Sequence, residues 1–187
     1  MHDKKEKAMF YLTTCFSPLG RVTLASDGAH LTGLWFEGQK YFGASLGDHV
    51  AEKPDLPVFS CVREWLDAYF AGEKPPVSGL PLAAHGGTFR KAVWDILRDI
   101  PYGEYMTYGE IARKMAFRMN RKSMSSQAVG GAVGHNPISI IIPCHRVLGS
   151  NGSLTGYAGG ISKKIRLLEL EGVNISRFSV PVQGTAL

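Results

Sequence analysis

The sequence predicts an α+β protein in two parts. A small N-terminal α/β domain (1–84) carries an antiparallel sheet and a helix, and a mostly helical domain (85–187) follows. Three observations predict this: β-formers alternate with turn residues up to Gly38, apolar residues recur at helical spacing from Pro57 on, and a proline- and glycine-rich stretch without periodicity fills 73–87. In "MFYLTTCFSPLGRVTLASDGAHLTGLWFEG", Ser17–Gly20 and Asp27–Gly28 separate three strands of a meander. "PVFSCVREWLDAYFAG" sets Val58, Val62, Trp65, Leu66 and Tyr69 on one helical face, and Gly72 closes it.

Beyond the linker, Thr88 is placed to cap "FRKAVWDILRDI", which Pro101-Tyr102-Gly103 stops. Thr107 and Glu110 stand three apart, the spacing of a capping box at the head of "TYGEIARKM". A basic connection leads to "SSQAVGGAVGHNP", a short helix of small residues. The two helices, 107–116 and 125–134, have the layout of a helix-turn-helix, whose second helix enters a groove of DNA. Glycine weakens a helix by about 1 kcal/mol relative to alanine, so "AVGGAVG" fits a place where two backbones come very close. Close packing on another helix explains it equally well. "ISIII" (138–142) reads as a short buried strand or extended segment leading to Cys144, and "SKKIRLLELEG" as a final helix capped by Ser162 and stopped by Gly172.

Composition narrows the function. An apolar fraction of 44% with 20% charged residues describes a soluble globular chain, and no window approaches the roughly 18 apolar residues of a membrane span. The charged start "MHDKKEKAMFYLTT" lacks the apolar stretch of a secretory signal, so a cytoplasmic protein with a frayed polar leader is expected. Cys15, Cys61 and Cys144 are odd in number and widely spaced, which speaks against a disulfide framework. Among cysteines and histidines, ligand spacing is lacking except in the adjacent Cys144–His145, and neighbours in a strand point to opposite faces; no metal is expected. Residues 1–87 hold 8 Lys/Arg against 10 Asp/Glu, whereas 88–187 hold 13 against 6. The excess positive charge lies wholly in the second half, as in a polyanion-binding domain or a merely basic surface. "IIPCHRVLGSNG" then puts a thiol beside an imidazole, which fits a reactive centre, a ligand pair or ordinary core.

Four motifs in order, "TYGEIA", "AVGGAVGHNP", "IPCHRV" and "GSLTGYAGG", resemble the O6-alkylguanine-DNA alkyltransferases, also called methylated-DNA–protein-cysteine methyltransferases. The resemblance runs from about Phe89 to Gly172 and, less distinctively, includes the N-terminal "SPLG". It implies single-turnover DNA repair: an alkyl group on O6 of guanine, and by extension O4 of thymine, moves from double-stranded DNA to Cys144 after the base is flipped out of the minor groove. No cofactor, membrane or obligate protein partner is implied, and a monomer is expected. His145 would act as base through a water, Glu171 would orient it, Tyr108 would donate a proton to the guanine, and Asn136 would hold the active-site turn. Tyr157, Ala158, Gly159, Val147 and Val133 would line the substrate site, with Arg146 structural or phosphate-facing. DNA would be met by Ser125, Ser126, Ala128, Gly130, Gly131, Arg121 and Lys122. Many family members insert an arginine into the base stack; here that position holds Gln127, shorter and uncharged. A lesion-sensing relative without transfer chemistry, a thiol hydrolase and a helix-turn-helix regulator are the alternatives.

Overall fold

The computed structural model describes residues 9–180, so residues 1–8 of the expected polar leader lie outside the described residues. β1 (Met9–Ser17), β2 (Gly20–Ser26) and β3 (Leu31–Phe36) form the expected meander, with pairs such as Thr13↔Leu24 and Leu24↔Leu34. The first turn is closed by Ser17, whose hydroxyl donates to the Gly20 carbonyl at 2.8 Å. A fourth strand, β4 (His49–Glu52), adds parallel to β1 and gives the order β3-β2-β1-β4. The sequence reading lacked it because "HVAE" is short and mostly exposed; it satisfies backbone groups on the edge of β1 rather than burying side chains.

α1 (Pro57–Phe70) starts with proline in its first turn and packs Phe59, Val62, Leu66 and Tyr69 inward against β1 and β2. Then come α2 (Thr88–Arg98), β5 (Met106–Thr107), α3 (Tyr108–Arg118) and α4 (Ser126–Gly134). After these come β6 (Val147–Leu148), paired parallel with β5, and α5 (Ile161–Leu170), followed by a 3-10 turn at Ile175–Arg177. The capping box forms: the Thr107 hydroxyl accepts from the Glu110 N–H at 3.2 Å and the Glu110 carboxylate accepts from the Thr107 N–H at 2.7 Å. Two expected caps are displaced. Gly87 precedes α2 and Gly160, at φ 95°, precedes α5, so Thr88 and Ser162 fall inside their helices.

The outer edge of β3 joins the halves. Its six residues are all buried, so its free N–H and C=O groups need partners inside the protein. Leu31 donates to the Pro81 carbonyl at 2.7 Å and accepts from Ala83 at 2.9 Å, which lays the linker along this edge. Leu34 donates to the Pro137 carbonyl at 2.8 Å and accepts from Ser139 at 2.9 Å. The extended segment expected at 138–142 is therefore reduced to one parallel bridge, Leu34↔Ile138. The chain then turns, with Ile140 at φ 70°, a conformation that strains a β-branched residue. A short 3-10 turn, Cys144–Arg146, follows. One hydrophobic core runs through both halves, from Leu24, Phe36 and Phe59 to Trp94, Val129 and Ile142. Among the described residues, no helix is long and apolar enough to cross a membrane.

Gly33 tests how tightly β3 is fitted. A Cβ there would lie 1.9 Å from the ring of Trp35, which is 1% exposed and has no free space to enter. Gly33→Ala is expected to destabilise the protein by about 1–3 kcal/mol, read as a lower urea midpoint.

Candidate active site

Pro143 and the 3-10 turn place Cys144 in the interior, 4% exposed. The turn is tied by one side chain, Asn136. Its amide nitrogen donates to the Ile142 carbonyl at 2.7 Å and lies 3.1 Å from Cys144 Sγ, while its oxygen accepts from the Ile138 N–H at 3.0 Å. Burial raises the thiol above its ordinary pKa, and the Asn136 hydrogen bond and Lys164 oppose this without overcoming it. The resting sulfur is protonated.

His145, wholly buried, directs Nε2 at Glu171 Oε1, 2.7 Å away. A carboxylate only accepts, so Nε2 carries the hydrogen and Nδ1 is the basic nitrogen. Nδ1 is buried without a hydrogen-bond partner among the described residues. Burial lowers the His145 pKa more strongly than Glu171 raises it, so the ring is neutral at rest. Glu171 follows the last turn of α5 and also accepts from Arg146 Nε at 2.8 Å, Arg146 Nη2 at 2.9 Å, the Tyr69 hydroxyl at 2.6 Å and the Gly103 N–H at 3.2 Å. Burial alone would raise its pKa; the bonds from His145 and Arg146 prevail and hold it well below the carboxylate range. Arg146 also donates to the Ile100 carbonyl at 2.5 Å, so Nε, Nη1 and Nη2 are all engaged within the protein.

Two members of this site escaped the sequence reading. Tyr69 looked like one more apolar position of α1. Lys164 was given no role on the final helix, yet it is fully buried, with Nζ donating to the Val147 and Thr155 carbonyls at 2.5 and 2.7 Å. Burial pushes its pKa down to about 7, and a neutral amine still has the two hydrogens these bonds need. Neither residue has a local signal: Tyr69 meets a partner 102 residues away, and Lys164 bonds to backbone carbonyls, which carry no mark in the sequence.

A cavity of about 750 Å³ is lined by Tyr108, Gln127, Gly130, Gly131, Tyr157 and Ala158 among others; Cys144 does not line it, and the link to the reactive pair is Tyr157, whose ring stands edge-on to His145 with centroids 6.5 Å apart. The Tyr108 hydroxyl donates to the Gly156 carbonyl at 3.2 Å, and a Cβ on Gly156 would sit 2.5 Å from that hydroxyl. The glycines of α4 are not explained by internal packing. A Cβ on Gly131 or Gly134 would meet nothing within 4 Å, whereas Val129, Ala132 and Val133 fill the inner face. Ser126 lines the cavity; Ser125 caps α4 by accepting from the Ala128 N–H at 3.3 Å. Ala128, Arg121 and Lys122 are exposed outside the cavity. Val133 and Val147 do not line it but are sealed in the core, and Gly159 backs the Tyr157 ring. A second cavity, about 490 Å³, touches Tyr69 and Arg146 between α1 and the 98–102 turn and does not include Cys144.

Residues 10–84 match the ribonuclease-like domain of 6-O-methylguanine DNA methyltransferase, and residues 88–173 match its DNA-binding domain. The chain belongs to this methyltransferase family. It is 45% identical over 163 residues to the methylated-DNA–protein-cysteine methyltransferase of Haemophilus influenzae, covering 87% of each chain. The Methanosarcina acetivorans protein of the same name is 46% identical over 161 residues, covering 83% of this chain and 94% of its own. Among solved structures, Mycobacterium tuberculosis OGT in complex with DNA superposes with a TM-score of 0.74 at 42% identity, covering 91% of this chain and 94% of that one.

The buried network ties stability to pH. Glu171, with its folded pKa depressed, contributes stability that is present above about 4.5 and lost as pH falls. His145 is also depressed and stays neutral when folded, so stability already declines below about 6.5, where the unfolded chain takes up a proton first. Glu171→Gln leaves Arg146 without its counter-charge. Its urea midpoint at pH 7 is expected to drop by the equivalent of about 3–5 kcal/mol, with a shallower decline between pH 5 and pH 3 than wild type. Parallel acid declines in the two proteins would refute the assignment.

Proposed function

We propose that the protein repairs DNA by moving an alkyl group from O6 of guanine in duplex DNA to Cys144, once per molecule. The observation that carries this reading is a buried thiol next to a neutral imidazole whose Nδ1 has no hydrogen-bond partner among the described residues, behind the Tyr157 wall of a cavity floored by the open glycine face of α4. A target base inside a duplex cannot reach an interior sulfur, so it is flipped out, at a cost of a few kcal/mol. The glycine face lets the backbone approach the floor of the minor groove, and the basic second half neutralises phosphates. Residues 1–84 and 85–187 act as two domains of this one machine, in the cytoplasm.

The chemistry is a displacement at carbon. His145 Nδ1 takes the Cys144 proton through a water, and the thiolate attacks the alkyl carbon. An S–C bond forms, the C–O6 bond breaks, and its electrons pass into the purine. Tyr108 protonates the base as that charge develops, and the proton taken from sulfur restores the balance, leaving guanine and a thioether. Glu171 keeps the imidazole in the tautomer with Nδ1 free and stabilises its charged form. Tyr157 and Ala158 wall the base, and Gln127 fills the gap left in the stack. O4-alkylthymine presents the same alkyl–oxygen bond and falls within the same chemistry.

Incubation with a duplex carrying O6-methylguanine should add the mass of one methylene to each intact molecule, with no further turnover. Cys144→Ser should gain nothing; a gain in that variant, or several turnovers per molecule, sinks the reading. Removing the side chain that fills the stack should slow the reaction on duplex. Gln127→Ala is expected to lose about tenfold in single-turnover rate, the equivalent of part of the unstacking energy; an unchanged rate removes Gln127 from this role.

A further inference from the structure

The cavity also has a wall from the N-terminal half. The loop after β3 brings Lys40 and Tyr41 to its rim, at the end of α4 away from Gln127. Three attachments hold this loop. The buried Gln39 side chain accepts from the Ser139 hydroxyl at 3.0 Å, and from the Phe36 N–H at 3.1 Å. The Lys40 N–H donates to the Ala158 carbonyl at 3.0 Å, on the cavity wall itself. The Tyr41 ring stacks on His135, which follows α4, with centroids 3.9 Å apart and planes 21° apart.

Tyr41 pays for this position in backbone strain, at φ 61° in a region that side chains other than glycine seldom adopt. Strain persists only where the surroundings over-determine it, and here three contacts to the second half do so. Their combined effect is to fix the exposed Lys40. Its ammonium lies 5.3 Å from the Tyr41 ring centroid and forms no ion pair with a carboxylate among the described residues. Next to it, Gly131 and Gly134 offer α4 no side chain with which to hold a phosphate.

We infer that Lys40 is a DNA-phosphate contact supplied by the N-terminal half, with the Tyr41–His135 stack as the positioning element that sets it at the end of the recognition helix. The inference rests on the DNA-repair reading above and extends it. A duplex lying along α4 with its flipped base in the cavity would pass one strand over this rim. Lys40 would then displace a condensed counterion, which gives it a thermodynamic signature separate from folding.

Anisotropy titrations of a labelled unmodified duplex over a range of salt concentrations test it on the full chain. Lys40→Ala should bind about fivefold more weakly at low salt, and its slope of log affinity against log salt should be shallower than wild type by about 1. Lys40→Arg should restore both. Tyr41→Ala keeps the charge but loses the stack, and should show a reduced slope too. A wild-type slope in Lys40→Ala overturns the inference while leaving the repair reading intact. Wild-type protein that neither binds duplex nor gains an alkyl group overturns both.

Discussion

A carboxylate cut off from water is the constraint around which the molecule is arranged. Glu171 is 5% exposed and ionised, and an unpaired charge so placed would be costlier than the protein's whole margin of stability. It is tolerable because donors converge on it from α1, from the turn at Gly103 and from the 3-10 turn that bears the cysteine. Satisfying one charge thus draws together segments that are up to 102 residues apart. The same bonds settle which nitrogen of His145 is free, so the structural requirement and the chemical one are met by a single arrangement.

What was legible in the sequence was what local patterns encode. The alternation of β1 to β3 and the apolar face of α1 were readable because each strand or helix buries one side. Ile140, Ile141 and Ile142 mark the limit: β-branching announced burial correctly, yet it does not distinguish a paired strand from a buried turn, and the chain turns. The caps show a similar limit. Thr107 formed its predicted box, while Thr88 and Ser162 were overruled by glycines one and two residues earlier that suit the entry of the chain better.

The site divided in the same way. Cys144, His145 and Asn136 lie within ten residues and form a readable motif, and Glu171 was reachable only through family likeness. Tyr69, Lys164 and Lys40 were illegible because nothing near them in sequence records their partners. A tyrosine at a core position and a lysine on an amphipathic helix have ordinary explanations until the fold supplies the other half of each bond. Arg146 was expected to be structural or phosphate-facing, and the carboxylate that it meets in the fold could not be read from its surroundings in sequence.

The edge of β3 makes the reactive centre sensitive to events far from it. Leu34 pairs with the segment at Ile138, only six residues before Cys144, so the strand acts as a ruler against which the nucleophile is set. Inserting one residue between Leu31 and Leu34 would shift that mark by about 3.3 Å and turn the inward faces of β3 outward. The loop at Gly43–Leu46, closed by its own turn bond from the Leu46 N–H to the Gly43 carbonyl, can absorb length changes that β3 cannot. Changes in chain length would accordingly be tolerated on one side of the N-terminal domain, with the other kept in step with the sulfur through the Leu34–Ile138 pairing.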